Sequence, residues 1–246
     1  LRRTLCRFAF AVALLALALP ARAQESKHEL TVFAAASLSE SFQALATAFE
    51  ARTHTHVTFS FGASSLLVTQ LQQGAPADVL ATADEVTMAR VRDLVDAPRT
   101  FAHNRLQIAV EKGNPKRVAK LSDLARTDLA VVLAAEQVPV GKYAREALAE
   151  AKVSVTPRSL EADVKAVLNK VILGEADAGI VYTTDVRSAA GKVDGVEIPD
   201  SQNVVATYPI AIAKATHEAG EANAFVDFVV SSEGREVLGR FGFAPP

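Results

Sequence analysis

The chain has 246 residues, 26 of them basic and 28 acidic, with half of the total hydrophobic and a single cysteine. A formal charge of −2 gives no electrostatic reason to expect nucleic acid or an anionic membrane as partner. One cysteine excludes an internal disulfide framework, so stability has to come from a buried core.

Residues 1–23 read as a secretory signal peptide, removed from the mature protein. Arg2, Arg3 and Arg7 precede an unbroken apolar run over 8–19, and Pro20-Ala21-Arg22-Ala23 supplies a small-x-small cleavage pattern before Gln24. The run is shorter than the roughly 20 apolar residues of a membrane span. Cys6 precedes this run, a poor position for lipid attachment. Cleavage removes four arginines and no acid, leaving 22 basic against 28 acidic residues and export to a periplasm as the expectation.

The mature chain begins with a βα rhythm. A strand is expected near 29–34, then a helix over 38–51 with Leu38, Phe42, Leu45 and Phe49 on one face. A strand at 57–61 leads into a helix after Ser65 that ends near Gly74, and Ala75-Pro76 turns the chain into a buried strand at 77–81. A helix over 84–94 closes this phase. Strands follow at 106–110 and 129–134, with a turn at 111–115 and a short 121–124 segment between them. The break Val138-Pro139-Val140-Gly141 then opens a helix reaching about Ala151. Next come a helix over 162–173 with Val164, Val167, Leu168 and Val171 as its apolar stripe, a buried strand ending in Tyr182, a strand over 204–213, and helices over 221–230 and 232–241.

This alternation predicts an α/β fold of two lobes joined by crossing strands near 102–107 and 200–208. One lobe comprises 24–105 and 206–246, the other 106–205.

Two strand-to-helix junctions share a layout. TVFAAASLSES places Ser37 three residues before Glu40, the spacing of a capping box, and FSFGASSLLVTQL places Ser64 and Ser65 before a helical run. Each reads as an ordinary helix cap or as an anion cradle, since the first helical N–H groups have no internal partner and carry the positive end of the dipole. His54 and His56 have the spacing of one strand face. With no cysteine and no further histidine nearby, they read as a solvated strand entry and not as a metal site.

Several blocks, in order, carry a resemblance to a known family: Val32-Phe33-Ala34-Ala35-Ala36-Ser37-Leu38, Phe61-Gly62-Ala63-Ser64-Ser65, Gly74-Ala75-Pro76-Ala77-Asp78-Val79, Val138-Pro139-Val140-Gly141-Lys142-Tyr143-Ala144, Glu161-Ala162-Asp163-Val164, Gly179-Ile180-Val181-Tyr182 and Tyr208-Pro209-Ile210-Ala211. Together they make the chain similar to the periplasmic molybdate-binding proteins of ABC importers, receptors with the type II two-lobed periplasmic-binding-protein fold. The resemblance implies a tetrahedral oxyanion, molybdate or tungstate, held in the cleft between the lobes. It implies hydroxyl donors at Ser37 and Ser64, backbone N–H donors at Val140 and Val164, and a phenol at Tyr182, all as ligands of the anion's oxygens and not of a bare metal cation. It also implies no catalysis, no resident cofactor, action as a monomer, and docking on an inner-membrane permease with a cytoplasmic ATPase.

Three readings compete. The same fold serves other solutes, such as sulfate, thiosulfate or a metal cation, although cation receptors of this architecture cluster tyrosines and histidines and this chain has only Tyr143, Tyr182 and Tyr208. A secreted hydrolase would use Ser64, but Leu66 stands where a nucleophile elbow needs glycine. A purely structural or adhesive exported domain is the third.

Overall fold

Apolar runs bounded by small residues become strands, and runs with helical period become the helices that cover them. The computed structural model describes residues 28–246, so the expected leader lies outside the described residues. In chain order come β1 (Glu29–Ala35), a 3-10 turn (Ala36–Leu38), α1 (Ser39–Thr53), β2 (His56–Gly62), α2 (Ser64–Gln72), β3 (Val79–Ala81) and α3 (Glu85–Ala89). The long β4 (Arg99–Glu111), a second 3-10 turn (Leu121–Ala125), β5 (Val131–Ala134), α4 (Pro139–Glu150), β6 (Ser159–Glu161) and α5 (Val164–Ile172) follow. The chain ends with β7 (Ala178–Tyr182), α6 (Thr183–Ser188), β8 (Val193–Glu197), β9 (Val205–Ile212), α7 (Ala219–Val230) and α8 (Ser232–Arg240).

The strands run in the order β2-β1-β3-β9-β4-β7-β5-β6, with β8 also on β4. The parallel pairs β1–β2, β1–β3, β5–β6 and β5–β7 lie towards the two ends of this path, and antiparallel pairs join them through its middle. β4 changes partner along its length. Through Arg105 it pairs with β9, and from Leu106 with β7. Asn203 clamps the change-over, its side chain bonding both the N–H and the carbonyl of Leu106. Parallel strands deliver their carboxyl ends, and the helices that follow them, towards one cleft.

Phe42 and Phe49 of α1 pack on Phe101 and Phe225 at ring separations of 5.6 and 5.3 Å, and Phe101 continues edge-on to Tyr208. This aromatic stack fixes α1, and with it the turn that carries Ser37.

Several expectations need correction. The capping box of Ser37 and Glu40 does not form. Ser37 lies inside the 3-10 turn, α1 is capped at Leu38 without a side-chain bond, and both side chains have distant partners described below. The helix expected over 84–94 stops at Ala89, because the chain continues in tight turns until Val95 bridges Ala213 at the sheet. The strand expected at 106–110 is the second half of a much longer one. β6, β8 and α6 carry too few residues for their periods to show in sequence. His54 is not in a strand at all: it ends α1 in the left-handed region at φ 59°, and His56 Nδ1 lies 3.0 Å from Glu50.

Candidate functional site

Ser37, Ser64, Val140, Val164 and Tyr182 all line one small cavity, with Gly62, Ala83, Pro139 and Asp163 among the remaining walls. The cavity measures about 20 Å³, room for the centre of little more than one water-sized sphere. Among the described residues, no lysine, arginine or histidine is in its lining.

What the walls offer is helix ends. Ser64 opens α2 after Ala63, which provides no side-chain cap. Pro139 and Val140 open α4 after Val138, again with no side-chain cap. Proline at the first position has no N–H to satisfy, so the dipole end is presented by the amides after it. Val164 opens α5, where the Asp163 carboxylate turns back to accept the Ala166 N–H at 2.8 Å. Three helices and one 3-10 turn thus start at the wall of one cavity, an arrangement suited to an anion without any cationic side chain.

The serine hydroxyls are polarised in the same sense. Ser64 Oγ accepts the Ala83 N–H at 3.0 Å, leaving its own proton for the cavity. Ser37 Oγ lies 2.9 Å from the Tyr208 hydroxyl, while the Asn104 side-chain amide donates towards Tyr208 at 3.5 Å and to Thr184 Oγ1 at 2.9 Å. With an amide donating to the Tyr208 oxygen, the phenolic proton goes to Ser37 and the Ser37 proton is free. Both serines are therefore set as donors.

Tyr182 ends β7 fully buried, and its hydroxyl has no hydrogen-bond partner among the described residues. A buried phenol without a partner is costly unless something arrives to accept from it. Burial pushes its pKa well above the ordinary 10.0, so it remains a proton donor at any physiological pH. Burial raises Tyr143 and Tyr208 as well. All three phenols hold their protons more tightly in the folded chain than in the unfolded one. Their contribution to stability is complete below pH 10 and falls as pH rises past that value, where the unfolded chain loses the protons first. Alkaline titration followed by circular dichroism and absorbance should show stability declining as pH rises past 10, with tyrosinate absorbance appearing together with unfolding.

Sequence reasoning missed Ala83, Asn104 and Tyr208, which act on the serines, and Asp163 as a wall. Only Asp163 carried a local signal, as a capping residue three positions before Ala166.

Two lobes, a cleft between strand ends and a cavity ringed by helix N-termini define a solute receptor of the two-lobed periplasmic-binding type. The chain belongs to the family of bacterial extracellular solute-binding proteins, whose pattern matches residues 30–244. It is 41% identical over 231 residues to the molybdate-binding protein ModA of Mycobacterium tuberculosis strain H37Rv, covering 92% of this chain and 88% of the relative. The fold matches the periplasmic molybdate-binding protein of Azotobacter vinelandii with a TM-score of 0.79 at 21% identity, over 88% of this chain and 99% of that one. It matches the sulfate-binding protein SubI of M. tuberculosis equally, at 0.79 and 22%, over 89% and 87%.

Proposed function

We propose that the protein is a periplasmic receptor for molybdate that also accepts tungstate and hands the oxyanion to an ABC permease driven by a cytoplasmic ATPase. The observation that carries this reading is that Ser37, Ser64, Val140, Val164 and Tyr182 line one small cavity with no cationic side chain of the described residues in its wall. A dianion leaves water only where its acceptors are met, and hydrogen bonds to a charged group are the stronger kind. The 41% identical relative, named for molybdate, supports the choice of guest.

The reading includes export, with residues 1–23 removed, and action as a monomer. Lobes of 24–105 with 206–246 and of 106–205 are supported by the change of partner along β4 between Arg105 and Leu106. Ser37 and Ser64 then bind from one lobe, and Val140, Val164 and Tyr182 from the other. An anion that needs both sets favours the shut arrangement.

Donor-oriented serines disfavour a protonated phosphate, whose own proton needs an acceptor. Sulfate is fully ionised and must be rejected by size, because donors spaced for a larger ion leave long, weak bonds to a smaller one. The equal fold likeness to a sulfate-binding protein makes sulfate the second reading. Titration calorimetry on the mature protein should give tight binding of molybdate and tungstate, weak binding of sulfate and none of phosphate. Sulfate binding as tight as molybdate would replace the first reading by the second. Ser64→Ala should lose about tenfold in molybdate affinity, the lower end of the worth of a hydrogen bond to a charged acceptor. An unchanged value would remove Ser64 from the site.

A further inference from the structure

Beside the cavity, a partly buried ion bridge runs from one lobe to the other. Lys165 Nζ lies 2.9 Å from both carboxylate oxygens of Glu40, 3.2 Å from Asp185 Oδ1 and 3.3 Å from Ser188 Oγ. Glu40 is in the first turn of α1, three residues after Ser37, and belongs to the lobe of β1. Lys165, in α5 immediately after Val164, and Asp185, in α6, belong to the other. Asp185 is fully buried, and its second oxygen accepts the backbone N–H of Tyr182 at 3.1 Å. Two of the three second-lobe members of the site, Val164 and Tyr182, are thus tied to one charge cluster, and that cluster reaches α1 through Glu40.

The two ion pairs differ in kind. Asp185 and Lys165 share a lobe, and a carboxylate with no exposure needs its cation whatever the lobes do. Burial of Lys165 works to lower its pKa, but Asp185 and Glu40 together outweigh it and the net shift is upward. Glu40, by contrast, is 44% exposed, and opening of the cleft returns it to water at small cost.

We propose that the Lys165–Glu40 pair is an inter-lobe latch that sets how long the closed receptor retains its anion, with Lys165 and Glu40 as positioning residues that never touch the guest. The proposal rests on the oxyanion-receptor reading for its ligand. The latch forms only on closure, so its loss acts on opening and release while encounter with the open cleft is unaffected.

The test is Glu40→Gln, which leaves the buried Asp185–Lys165 pair intact and so keeps the fold. In stopped-flow measurements of mature protein with molybdate, the variant should release the anion about three- to fivefold faster, as expected for a partly exposed ion pair, with its association rate unchanged. Release from wild type should quicken with added salt more steeply than release from Glu40→Gln, since only the wild type has an inter-lobe ion pair to screen. Spin labels on Gln43→Cys and Asn169→Cys, one turn beyond the two partners, should show a smaller closed fraction in the variant even without ligand. A wild-type release rate and salt response in Glu40→Gln would overturn the latch. If the wild type fails to bind molybdate, the function proposed above falls. The spin-label distances then decide the latch, an unchanged distribution in Glu40→Gln overturning it.

Discussion

Gly141→Ala should abolish molybdate binding and lower stability by about 3 kcal/mol, the upper end of the usual cost of overpacking. A Cβ at this position would sit 2.1 Å from the Ala135 carbonyl oxygen and 2.5 Å from that of Ala134. Both obstacles are backbone at the end of β5, so no side chain can rotate away to make room. The first turn of α4 would have to withdraw from the strand, and it is held there by Arg145, which donates to the carbonyls of both Gly141 and Ala134. Withdrawal carries the Val140 N–H and the positive end of α4 out of the cavity wall, where hydrogen bonds decay steeply with distance and angle. The expected loss in affinity exceeds a hundredfold. Gly239→Ala is the control: nothing lies within 4 Å of the added methyl, and alanine in a helix is favoured over glycine by about 1 kcal/mol, so this variant should melt higher and bind as wild type. Thermal unfolding and calorimetry on the pair separate a backbone clash at the site from a general intolerance of change. A Gly141→Ala protein that binds normally would mean that α4 is not part of the anion's cage.

The same glycine illustrates what the sequence makes legible. Small residues at a strand-to-helix junction are visible as letters, and the apolar period on either side shows which strand and which helix they join. That sufficed for the α/β alternation and for most of the helices. Ser37 and Ser64 stand out as candidate anion cradles at their helix starts, whereas Val140, Val164 and Tyr182 come from the resemblance, since the two valines contribute nothing that their side chains advertise. What stayed hidden depends on partners far away in the chain. Ser37 finds Tyr208 across 171 positions and Glu40 finds Lys165 across 125. Those tertiary partners outcompeted the local capping box that the spacing of Ser37 and Glu40 suggests, an outcome no local window contains. The orientation of the Ser37 and Ser64 protons is hidden for the same reason: it is dictated by Tyr208 and by the Ala83 amide, the latter 19 residues away.

On the proposed reading, these remote contacts are what would make a common fold selective. Sulfate- and molybdate-named proteins match this backbone equally well, so the architecture does not choose the anion. In the proposed receptor, choice would fall to the size of the cavity and the direction of its protons. A network that fixes hydroxyl direction before the guest arrives removes the cost of reorienting donors on binding, which is what preorganisation contributes to affinity.

Tyr182→Phe puts that argument to its sharpest test, because binding and stability should move in opposite directions. The phenol is fully buried with no hydrogen-bond partner among the described residues, and a buried hydroxyl left unpaired costs about 1–3 kcal/mol. Phenylalanine keeps the ring, including its edge-on contact with Tyr208 at 5.9 Å, and deletes only the unsatisfied group. The unliganded variant should therefore be more stable by about 1 kcal/mol, a rise of roughly 2–4 °C in melting temperature for a chain of this size. Molybdate affinity should fall about a hundredfold, close to the full worth of a hydrogen bond to a charged acceptor, because the wild-type phenol gives up no other bond to make this one. Ser64 differs in that a water can reach into the space left by a small hydroxyl, so its loss is expected to cost less. Ligand-induced stabilisation should shrink to match, making the melting curves of wild type and variant cross as molybdate is added. A variant that both melts lower and binds more weakly would mean that the Tyr182 hydroxyl is structural, already satisfied within the protein. One that melts higher and binds unchanged would leave the phenol beside the cavity with no part in holding the anion.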